Sequence, residues 1–335
     1  MAIELPVDFG AALADIELHP VVVGLRVRFR RVTERAAVLV HGPAGWGEWS
    51  PFPEYDDAYA ARWLAAAIEA AIVGFPPALR SAVPVNATVP ALPAAEVGAF
   101  LAGSPARTVK VKVAEPGQSH GDDLDRVAAV RDHLGAGGAI RVDANGAWTL
   151  EEAARHLPDL DRAAGGLQYA EQPVATLADM AELRRRVTVP LAVDESIRTA
   201  HDPARVAAAG AADYLVVKAQ PLGGVRRTLD IVEQVGLPAV VSSALETSVG
   251  LSAGLALAAA LPALDLACGL GTATLLAQDV TADPLLAGLD GSIRVRSVAP
   301  DPDLLDALRP PEPVASAMLA RLRAAAAAAT DARYL

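Results

Sequence analysis

The chain of 335 residues is poor in features that mark secreted and nucleic-acid-binding proteins. Its single cysteine, Cys268, cannot form a disulfide within the chain. Basic residues are scarce, because 29 Lys and Arg stand against 40 Asp and Glu and give a net charge of −11. The longest basic run is Arg184–Arg186. We therefore expect no nucleic-acid-binding face.

A basic N-terminus and long hydrophobic runs are also missing. No Lys or Arg precedes Arg26 and an acid stands at Glu4, which predicts that the chain has no signal peptide and works in the cytoplasm. The apolar stretch from Leu251 to Leu264 contains Pro262 and stops well short of the ~20 residues that a bilayer-spanning helix needs. We expect a buried helix there and no membrane contact.

The composition that is present indicates a globular protein. Hydrophobic residues make up 53% and charged residues 21%, and the 25 Pro and 26 Gly are scattered without a period, which excludes disordered, collagen-like and coiled-coil chains. Residues 20–31 and 35–42 are rich in β-branched side chains, and a turn at residues 32–34 is predicted to join them as a hairpin. A helix is predicted over residues 56–73. Residues 1–84 are interpreted as a small α+β domain.

After residue 84, short hydrophobic strands alternate with helical segments. The predicted strands cover residues 85–89, 108–113, 140–143, 167–171, 191–194, 214–218, 239–242 and 266–269. The predicted helices cover residues 94–101, 121–134, 150–160, 177–186, 203–209, 225–235 and 248–261. This rhythm predicts an α/β fold, a modified TIM-type (β/α) barrel over residues 85–280. A segment over residues 281–335, with a strand at 292–295 and a helix from Val314, is predicted to complete the cap and to pack on the barrel.

Charged residues recur at the ends of five successive predicted strands. In chain order they are Lys110 and Lys112, Asp143, Glu171, Asp194 and Lys218. From Lys112 onward, each lies 23 to 31 positions after the one before it. The C-terminal strand ends of a barrel meet at one face, so these side chains are expected to share one pocket. Three carboxylates there would repel each other unless a cation neutralised them, and oxygen ligands without His or Cys favour Mg²⁺, or Mn²⁺, over zinc.

The lysines are expected to reach a bound substrate from two sides. Lys110 and Lys112 are two residues apart and share a strand face, whereas Lys218 stands at the other end of the predicted arc. Neighbouring positive charges lower the pKa of an amine toward neutrality, as a general base requires. Each residue by itself also fits a structural role, such as a helix N-cap or an exterior lysine. Their combination at barrel spacing favours a site.

Five segments, in this order, resemble motifs of the enolase superfamily, in the branch similar to muconate-lactonising enzyme. They are V-K-V-K at 109–112, D-A-N-G-A-W at 143–148, E-Q-P at 171–173, D-E-S at 194–196 and K-A-Q-P-L-G-G at 218–224. The resemblance implies a barrel capped by an α+β domain and one Mg²⁺ ion held by the three carboxylates Asp143, Glu171 and Asp194. It also implies that Lys112 is the base and that Lys218 lies across the substrate. Lys110 would tune Lys112 or contact the substrate carboxylate.

Four further segments are most similar to one group of dehydratases within that branch. They are W-G-E-W-S-P-F at 46–52, V-N-A-T-V-P at 85–90, R-V-D-A-N-G-A-W at 141–148 and V-S-S-A-L-E-T-S-V-G at 241–250. They imply removal of a proton α to a carboxylate and loss of water from a succinyl-hydroxycyclohexadiene carboxylate, which gives an aromatic acid of menaquinone biosynthesis. The alternative on the same site is an N-acylamino-acid racemase or dipeptide epimerase. Outside enzyme chemistry, the alternative is a barrel that only binds a small acid.

Five more residues are candidates for binding the substrate or supporting the ligands. Arg141 lies two residues before Asp143 and would anchor a carboxylate, orient the metal ligands, or form an ion pair on the barrel. Asn145 would support the metal ligands from behind, and Glu195 would do the same or hold a lysine. Ser242 and Ser243 would bind a succinyl or carboxylate group.

The aromatic-bearing loop Trp46–Tyr55 is predicted to cover the mouth of the barrel, or alternatively to belong to the core of the cap. His120, His133, His156 and His201 lack the spacing of metal ligands and receive no role. The predicted partner is a small-molecule carboxylate substrate. The sequence does not fix the oligomeric state and is compatible with a monomer.

Overall fold

The computed structural model describes residues 9–13, 16–29, 32–198 and 203–329, which form a parallel (β/α) barrel with an α+β cap. Residues 1–8, which bear on the signal-peptide prediction, and His201 lie outside the described residues. No helix in the described ranges is both long and apolar enough to cross a membrane.

The cap contains a three-stranded antiparallel sheet, in the order β1-β2-β3. Its elements are α1 (Phe9–Ala12), β1 (Glu17–Phe29), β2 (Val32–Gly42) and β3 (Gly45–Trp49). The predicted turn at residues 32–34 is wrong, because Val32 pairs with Phe29 and Glu34 pairs with Gly24 as part of the hairpin ladder. Residues 30–31, between the two strands, lie outside the described residues.

Helix α2 (Asp57–Ile68) packs its apolar side on this sheet. The side chain of Asp56 caps the helix, since its carboxylate accepts a hydrogen bond of 2.7 Å from the amide of Tyr59. The helix continues into a π-helical turn, Glu69–Val73. The last helix of the described chain, α13 (Glu312–Ala328), joins the same apolar core through Leu322.

The barrel contains seven parallel strands in the order β11-β10-β9-β8-β7-β6-β5. These are β5 (Ala87–Val89), β6 (Thr108–Lys112), β7 (Ala139–Asp143), β8 (Leu167–Glu171), β9 (Leu191–Val193), β10 (Tyr214–Val217) and β11 (Ala239–Val241). The helices between and after them are α3 (Ala94–Leu101), α4 (His120–Leu134), α5 (Leu150–Ala164), α6 (Leu177–Arg186), α7 (Glu195–Arg198), α8 (Ala204–Ala208), α9 (Ala219–Leu222), α10 (Val225–Val235) and α11 (Ser248–Ala260). Helix α11 is buried on all sides, which confirms the prediction of a buried helix.

The predicted eighth strand, residues 266–269, closes the ring without forming a regular strand. It makes two parallel bridges, Cys268 with Val85 and Gly269 with Ser242. The amide of Cys268 donates to the carbonyl of Pro84, and that of Gly269 donates to the carbonyl of Val241, both at 2.7 Å. These bonds join the two edges of the seven-stranded sheet.

Alternate residues of the barrel strands face two different environments. Tyr169, Ala192, Val216 and Val240 form a small cluster of their own, apart from the large core shared by strands and helices. They make an apolar floor inside the barrel. Two residues later on the same strands stand Glu171, Asp194, Lys218 and Ser242, so the interior changes from apolar to charged toward the C-terminal strand ends.

The C-terminal segment returns to the N-terminal part of the chain. Strand β12 (Ser292–Arg294) pairs with β4 (Ala82–Pro84), and α12 (Pro302–Leu308), which the sequence pattern did not predict, precedes α13. Helix α13 begins at Glu312, two residues before the predicted start. The domain boundaries at residues 84 and 280 stay a prediction.

Candidate active site

The strand register brings the charged residues to one end of the barrel. Lys112 on β6 pairs with Asp143 on β7, and Asp143 pairs with Glu171 on β8. Asp194 directly follows β9 and Lys218 directly follows β10. None of these residues, nor Lys110, is more than 8% exposed. The structure therefore gathers all six predicted residues into one buried cluster.

Two lysines neutralise the carboxylates of Asp143 and Glu171. Lys110 Nζ lies 3.0 Å from both carboxylate oxygens of Glu171 and 3.2 Å from Asp143 Oδ2. Lys112 Nζ contacts the same Asp143 oxygen and donates a hydrogen bond to Asn145 Oδ1 at 3.0 Å. The two ammonium groups thus meet at a single carboxylate.

Asp194 is held by two other cations. Its Oδ2 is 2.5 Å from Lys218 Nζ, and its Oδ1 accepts from Arg198 Nε at 2.9 Å. Arg198 also donates to the hydroxyl of Tyr55 in the cap at 2.8 Å and to Glu195 Oε1 at 2.9 Å. Arg198 therefore links this carboxylate to the cap.

The pKa shifts show that the carboxylates act on one another. Burial raises the pKa of Glu171, and the negative charges of Asp143 and Asp194 raise it further against the opposing effect of Lys110. Burial alone would raise the pKa of Asp194, but Arg198 and Lys218 outweigh it and hold this pKa below its ordinary value. The three carboxylates therefore share one electrostatic environment.

The pKa of Lys110 is raised, in contrast to the lowering that neighbouring cations were expected to cause. Burial lowers this pKa, but the directly contacting carboxylates of Glu171 and Asp143 outweigh burial. In the arrangement seen, no three His, Cys, Asp or Glu side chains of the described residues are grouped to hold a metal ion. Ammonium groups instead contact the carboxylate oxygens.

A cavity of about 300 Å³ lies above this cluster, between barrel and cap. Lys110, Lys112 and Lys218 open into it. The other polar lining residues are Glu54, Thr88, Asn145, Glu195, Arg198, Ser242, Ser243 and Thr272. The largest apolar and aromatic ones are Phe29, Phe52, Tyr55, Trp63 and Leu245. Such a cavity suits a small ring-bearing acid.

Four of the five predicted supporting residues line this cavity. Asn145 binds Lys112, its backbone amide donates to Asp143 Oδ1 at 3.0 Å, and it adopts a left-handed conformation with φ 49°. The hydroxyl of Ser243 lies 2.8 Å from that of Thr272, beside Ser242. The side-chain amide of Asn145 donates to Glu195 Oε1 at 3.4 Å.

Arg141 does not line the cavity, which corrects the prediction that it anchors a substrate carboxylate. It pairs with Tyr169 in the floor of the barrel, one layer below Asp143. Its guanidinium donates to Gln168 at 2.6 Å and to Asn86 at 3.0 Å. Its side chain is directed by these partners, so it stabilises the floor through hydrogen bonds, without the predicted ion pair.

The predicted aromatic loop Trp46–Tyr55 serves both of the roles considered. Trp46 and Trp49 belong to strand β3, and the Trp46 ring stacks on His41 with 4.3 Å between centroids. Phe52 and Tyr55 follow the strand and line the cavity.

The sequence pattern missed three residues that shape the site. Gln172 accepts the amides of Asp194 and Ser196, each at 3.1 Å, and so fixes the end of β9. Arg198 could have been found, because it stands four residues after Asp194 on a helix that follows directly. Phe29 comes from the cap, and no local signal connects it to the barrel.

Comparison with known proteins agrees with this geometry. Residues 94–300 match the family model described as enolase C-terminal domain-like, and residues 21–71 match the enolase N-terminal domain-like model. The chain is 56% identical over 276 residues to a protein of Thermobifida fusca named o-succinylbenzoate synthase, covering 82% of this chain and 86% of that protein. It is 54% identical over 301 residues to the o-succinylbenzoate synthase of Mycobacterium tuberculosis, covering 90% of each.

A solved structure supports the fold. The muconate cycloisomerase of Pseudomonas fluorescens superposes with a TM-score of 0.74 at 23% identity, covering 89% of this chain and 98% of that one. Family models, close relatives and architecture thus agree. The chain belongs to the enolase superfamily and, within it, to the o-succinylbenzoate synthase family of lyases.

Proposed function

We propose that this chain catalyses the Mg²⁺-dependent syn dehydration of 2-succinyl-6-hydroxy-2,4-cyclohexadiene-1-carboxylate to o-succinylbenzoate in menaquinone biosynthesis. The observation that carries the proposal is the opening of Lys112 and Lys218 into one cavity directly above three buried carboxylates. The two relatives compared above are named for this activity, and their similarity to this chain covers most of its length.

Enzymes of the enolase superfamily use a divalent metal, typically Mg²⁺. Asp143, Glu171 and Asp194 fit this ion, because they are buried and offer hard oxygen donors. The negative charges of Asp143 and Asp194 also raise the pKa of Glu171, an effect that a bound cation would oppose. They would hold the ion in place of their present contacts with ammonium groups. When bound, Mg²⁺ supplies charge that stabilises the negative charge developing on the substrate carboxylate.

Lys112 is the proposed acid and base. As a neutral amine it takes the proton α to the substrate carboxylate, and the electron pair of that C–H bond enters the enediolate. The resulting ammonium gives a proton to the β-hydroxyl, which leaves as water while the ring becomes aromatic. One group handles both proton transfers on one face of the ring, so the elimination is syn and Lys112 returns to its starting form. Lys110 is proposed to tune Lys112, because both amines approach the same Asp143 oxygen.

The remaining cavity residues are proposed to hold the substrate. Lys218 is proposed to act as a cation that stabilises the anionic ring from the side of the barrel opposite β6. The adjacent hydroxyls of Ser243 and Thr272 offer donors to the succinyl carboxylate. Phe29 and Phe52 cover the ring and exclude water.

The test is a spectroscopic assay for the aromatic product from the cyclohexadiene acid, with Mg²⁺ and then with excess chelator. We expect turnover that the chelator abolishes and that added Mg²⁺ restores. Lys112→Ala serves as the matched inactive protein. Absence of aromatic product with Mg²⁺ present would refute the assigned reaction and leave the family membership intact.

Racemisation of N-acylamino acids, or epimerisation of dipeptides, is the second candidate, because two lysines face one cavity from different strands. A racemase needs a base on each side of the α carbon, whereas the dehydration needs one. Incubation of single enantiomers in D₂O decides between them. Deuterium at the α carbon together with inversion, lost in both Lys112→Ala and Lys218→Ala, would favour this candidate.

A further inference from the structure

Two buried glutamates of the cap reach across to the barrel. Glu48 on β3 is 3% exposed and Glu69 in the π-helical turn is 1% exposed. Each one accepts hydrogen bonds at the N-terminus of a barrel helix. The first amides of a helix lack partners within the helix and favour negative charge.

Glu48 binds the start of α11. Its Oε2 accepts from the amide of Thr247 at 3.1 Å, from the Thr247 hydroxyl at 2.5 Å and from the amide of Gly250 at 3.1 Å. Its Oε1 accepts from the hydroxyl of Ser50 at 2.7 Å. A Cβ atom at position 250 would lie 2.8 Å from the Glu48 carboxyl carbon, so only glycine permits this approach. In many helices, a carboxylate from the first turn accepts from amides at the N-terminus. At α11, this carboxylate belongs to Glu48 of the cap.

Glu69 binds the start of α10. It accepts from the amide of Val225 at 2.5 Å, from the amide of Arg226 at 3.2 Å and from the Arg226 guanidinium at 2.8 Å. The N-cap of this helix is Gly224, which has no side chain to cap it and sits at φ 118°. A Cβ there would lie 2.3 Å from Glu69 Oε2.

These contacts border the walls of the cavity. The segment before α11 contains Ser242–Leu245, and the loop before α10 follows Lys218 and Pro221, all of which line the cavity. On the cap side, Glu48 is followed within a few residues by Phe52 and Tyr55. Arg35 adds a third link, because its guanidinium donates to the carbonyls of Ser50 and Leu245.

We propose that Glu48 and Glu69 are positioning residues that dock the cap on the barrel by capping α11 and α10, and that this docking sets the affinity of the cavity for substrate. The lysines and the carboxylates stand on barrel strands or directly after them and contact one another within the barrel, and Asp194 has one further link, through Arg198, to Tyr55 of the cap. Loss of either glutamate contact therefore displaces the substrate-covering wall more than the reacting groups. The part concerning affinity rests on the proposed function, and the part concerning docking does not.

The test compares Glu48→Gln and Glu69→Gln with the wild type at pH 8, where a carboxylate differs most from an amide. Glu34→Gln is the matched control, because Glu34 is exposed on the neighbouring strand β2. We expect KM to rise about tenfold in each of the two variants with kcat within about twofold, and no change in the control. A role in folding alone predicts less active protein, hence a lower apparent kcat at unchanged KM, and would overturn the proposal.

Amide hydrogen exchange provides a readout that needs no turnover. We expect faster exchange at residues 247–250 in Glu48→Gln and at residues 225–226 in Glu69→Gln, each without effect on the other site. Unchanged exchange in both variants would overturn the docking. If the wild type shows no dehydration, the exchange result still decides the docking, so the two failures are distinguishable. Should Glu48→Gln fail to fold, Ser50→Ala, which removes one of its donors, takes its place.

Discussion

The mouth of the barrel and the seam between cap and barrel both bury carboxylates, but they neutralise them in different ways. At the mouth, Asp143, Glu171 and Asp194 are paired with ammonium and guanidinium groups on flexible side chains. At the seam, Glu48 and Glu69 each accept from two backbone amides at the start of a helix. A side-chain cation can move away and exchange for a metal ion or a substrate, whereas a helix amide cannot. The first arrangement suits chemistry, and the second suits a fixed joint.

All lysines of the chain lie at the mouth of the barrel. The chain contains three lysines, Lys110, Lys112 and Lys218, and all three line the cavity, whereas its other 26 basic residues are arginines. Arginine stays protonated at any pH that a protein tolerates, while lysine can release its proton when its surroundings favour the amine. Every side-chain amine of this protein therefore stands where proton transfer is proposed.

The largest effect is expected at the mouth, from Lys112→Ala. Loss of the proposed base should lower kcat by at least about 10³-fold while the protein stays folded, because Asp143 keeps its contact with Lys110. Steady-state kinetics measure the loss, and circular dichroism with thermal unfolding checks the fold. Retention of more than about a tenth of the activity would remove Lys112 from its role.

Metal dependence should follow next, through Glu171→Gln. The loss of one of three oxygen ligands should weaken Mg²⁺ binding by about 10- to 100-fold, which appears as a higher Mg²⁺ concentration at half-maximal activity. Reductive ¹³C-methylation offers a direct view, because the only lysine signals come from the three cavity residues. In the wild type these signals should shift on addition of Mg²⁺, and the shift should need more Mg²⁺ in the variant. If the lysine signals of the wild type do not shift on addition of Mg²⁺, the predicted metal site is contradicted.

The seam should show itself in the pH dependence of stability. Burial raises the pKa of Glu48 to about 7, against the lowering effects of its hydrogen bonds from Thr247 and Ser50. A raised carboxyl pKa means that the folded protein holds a proton that the unfolded chain releases near pH 4.5. This contribution to stability is complete below pH 4.5 and is lost as the pH rises to about 7.

Urea unfolding of the wild type and of Glu48→Gln between pH 4.5 and 8 measures this contribution. The free energy of unfolding of the wild type should fall relative to the variant by about 3 kcal/mol across that range. Parallel pH profiles would place Glu48 in a more solvated setting than the one described. Glu34→Gln, at an exposed position, should give a profile parallel to that of the wild type.

The smallest effect on stability is expected from removing the charge of a solvent-exposed carboxylate. Glu151 lies 2.6 Å from Arg186 Nη1, but its side chain is 74% exposed. Glu151→Gln should change the free energy of unfolding by less than about 0.5 kcal/mol, because solvent and salt screen such pairs. A change of more than about 1 kcal/mol would break the contrast between buried and exposed carboxylates drawn above.

Much of the barrel could be predicted because its information is local. Each predicted strand from residue 108 to 242 was found within two residues, since a buried strand shows as a short apolar run. The charged residues were found because a charge at the end of such a run conflicts with its surroundings unless it has a function. The hairpin turn was misplaced because Val32 and Thr33 have side chains that favour strands, and the register of the ladder was decided by pairing with β1.

The sequence by itself determined the order of the seven barrel strands and the six charged residues at the mouth, and it predicted the kind of metal that their oxygens favour. The tertiary structure alone decided which amine pairs with which carboxylate, that Arg141 belongs to the floor, and that Glu48 and Glu69 join the cap to α11 and α10. The physical reason is distance along the chain. The barrel partners of Glu48 lie about 200 residues away and those of Glu69 about 156. Periodicity reports only which face of its own element a residue occupies.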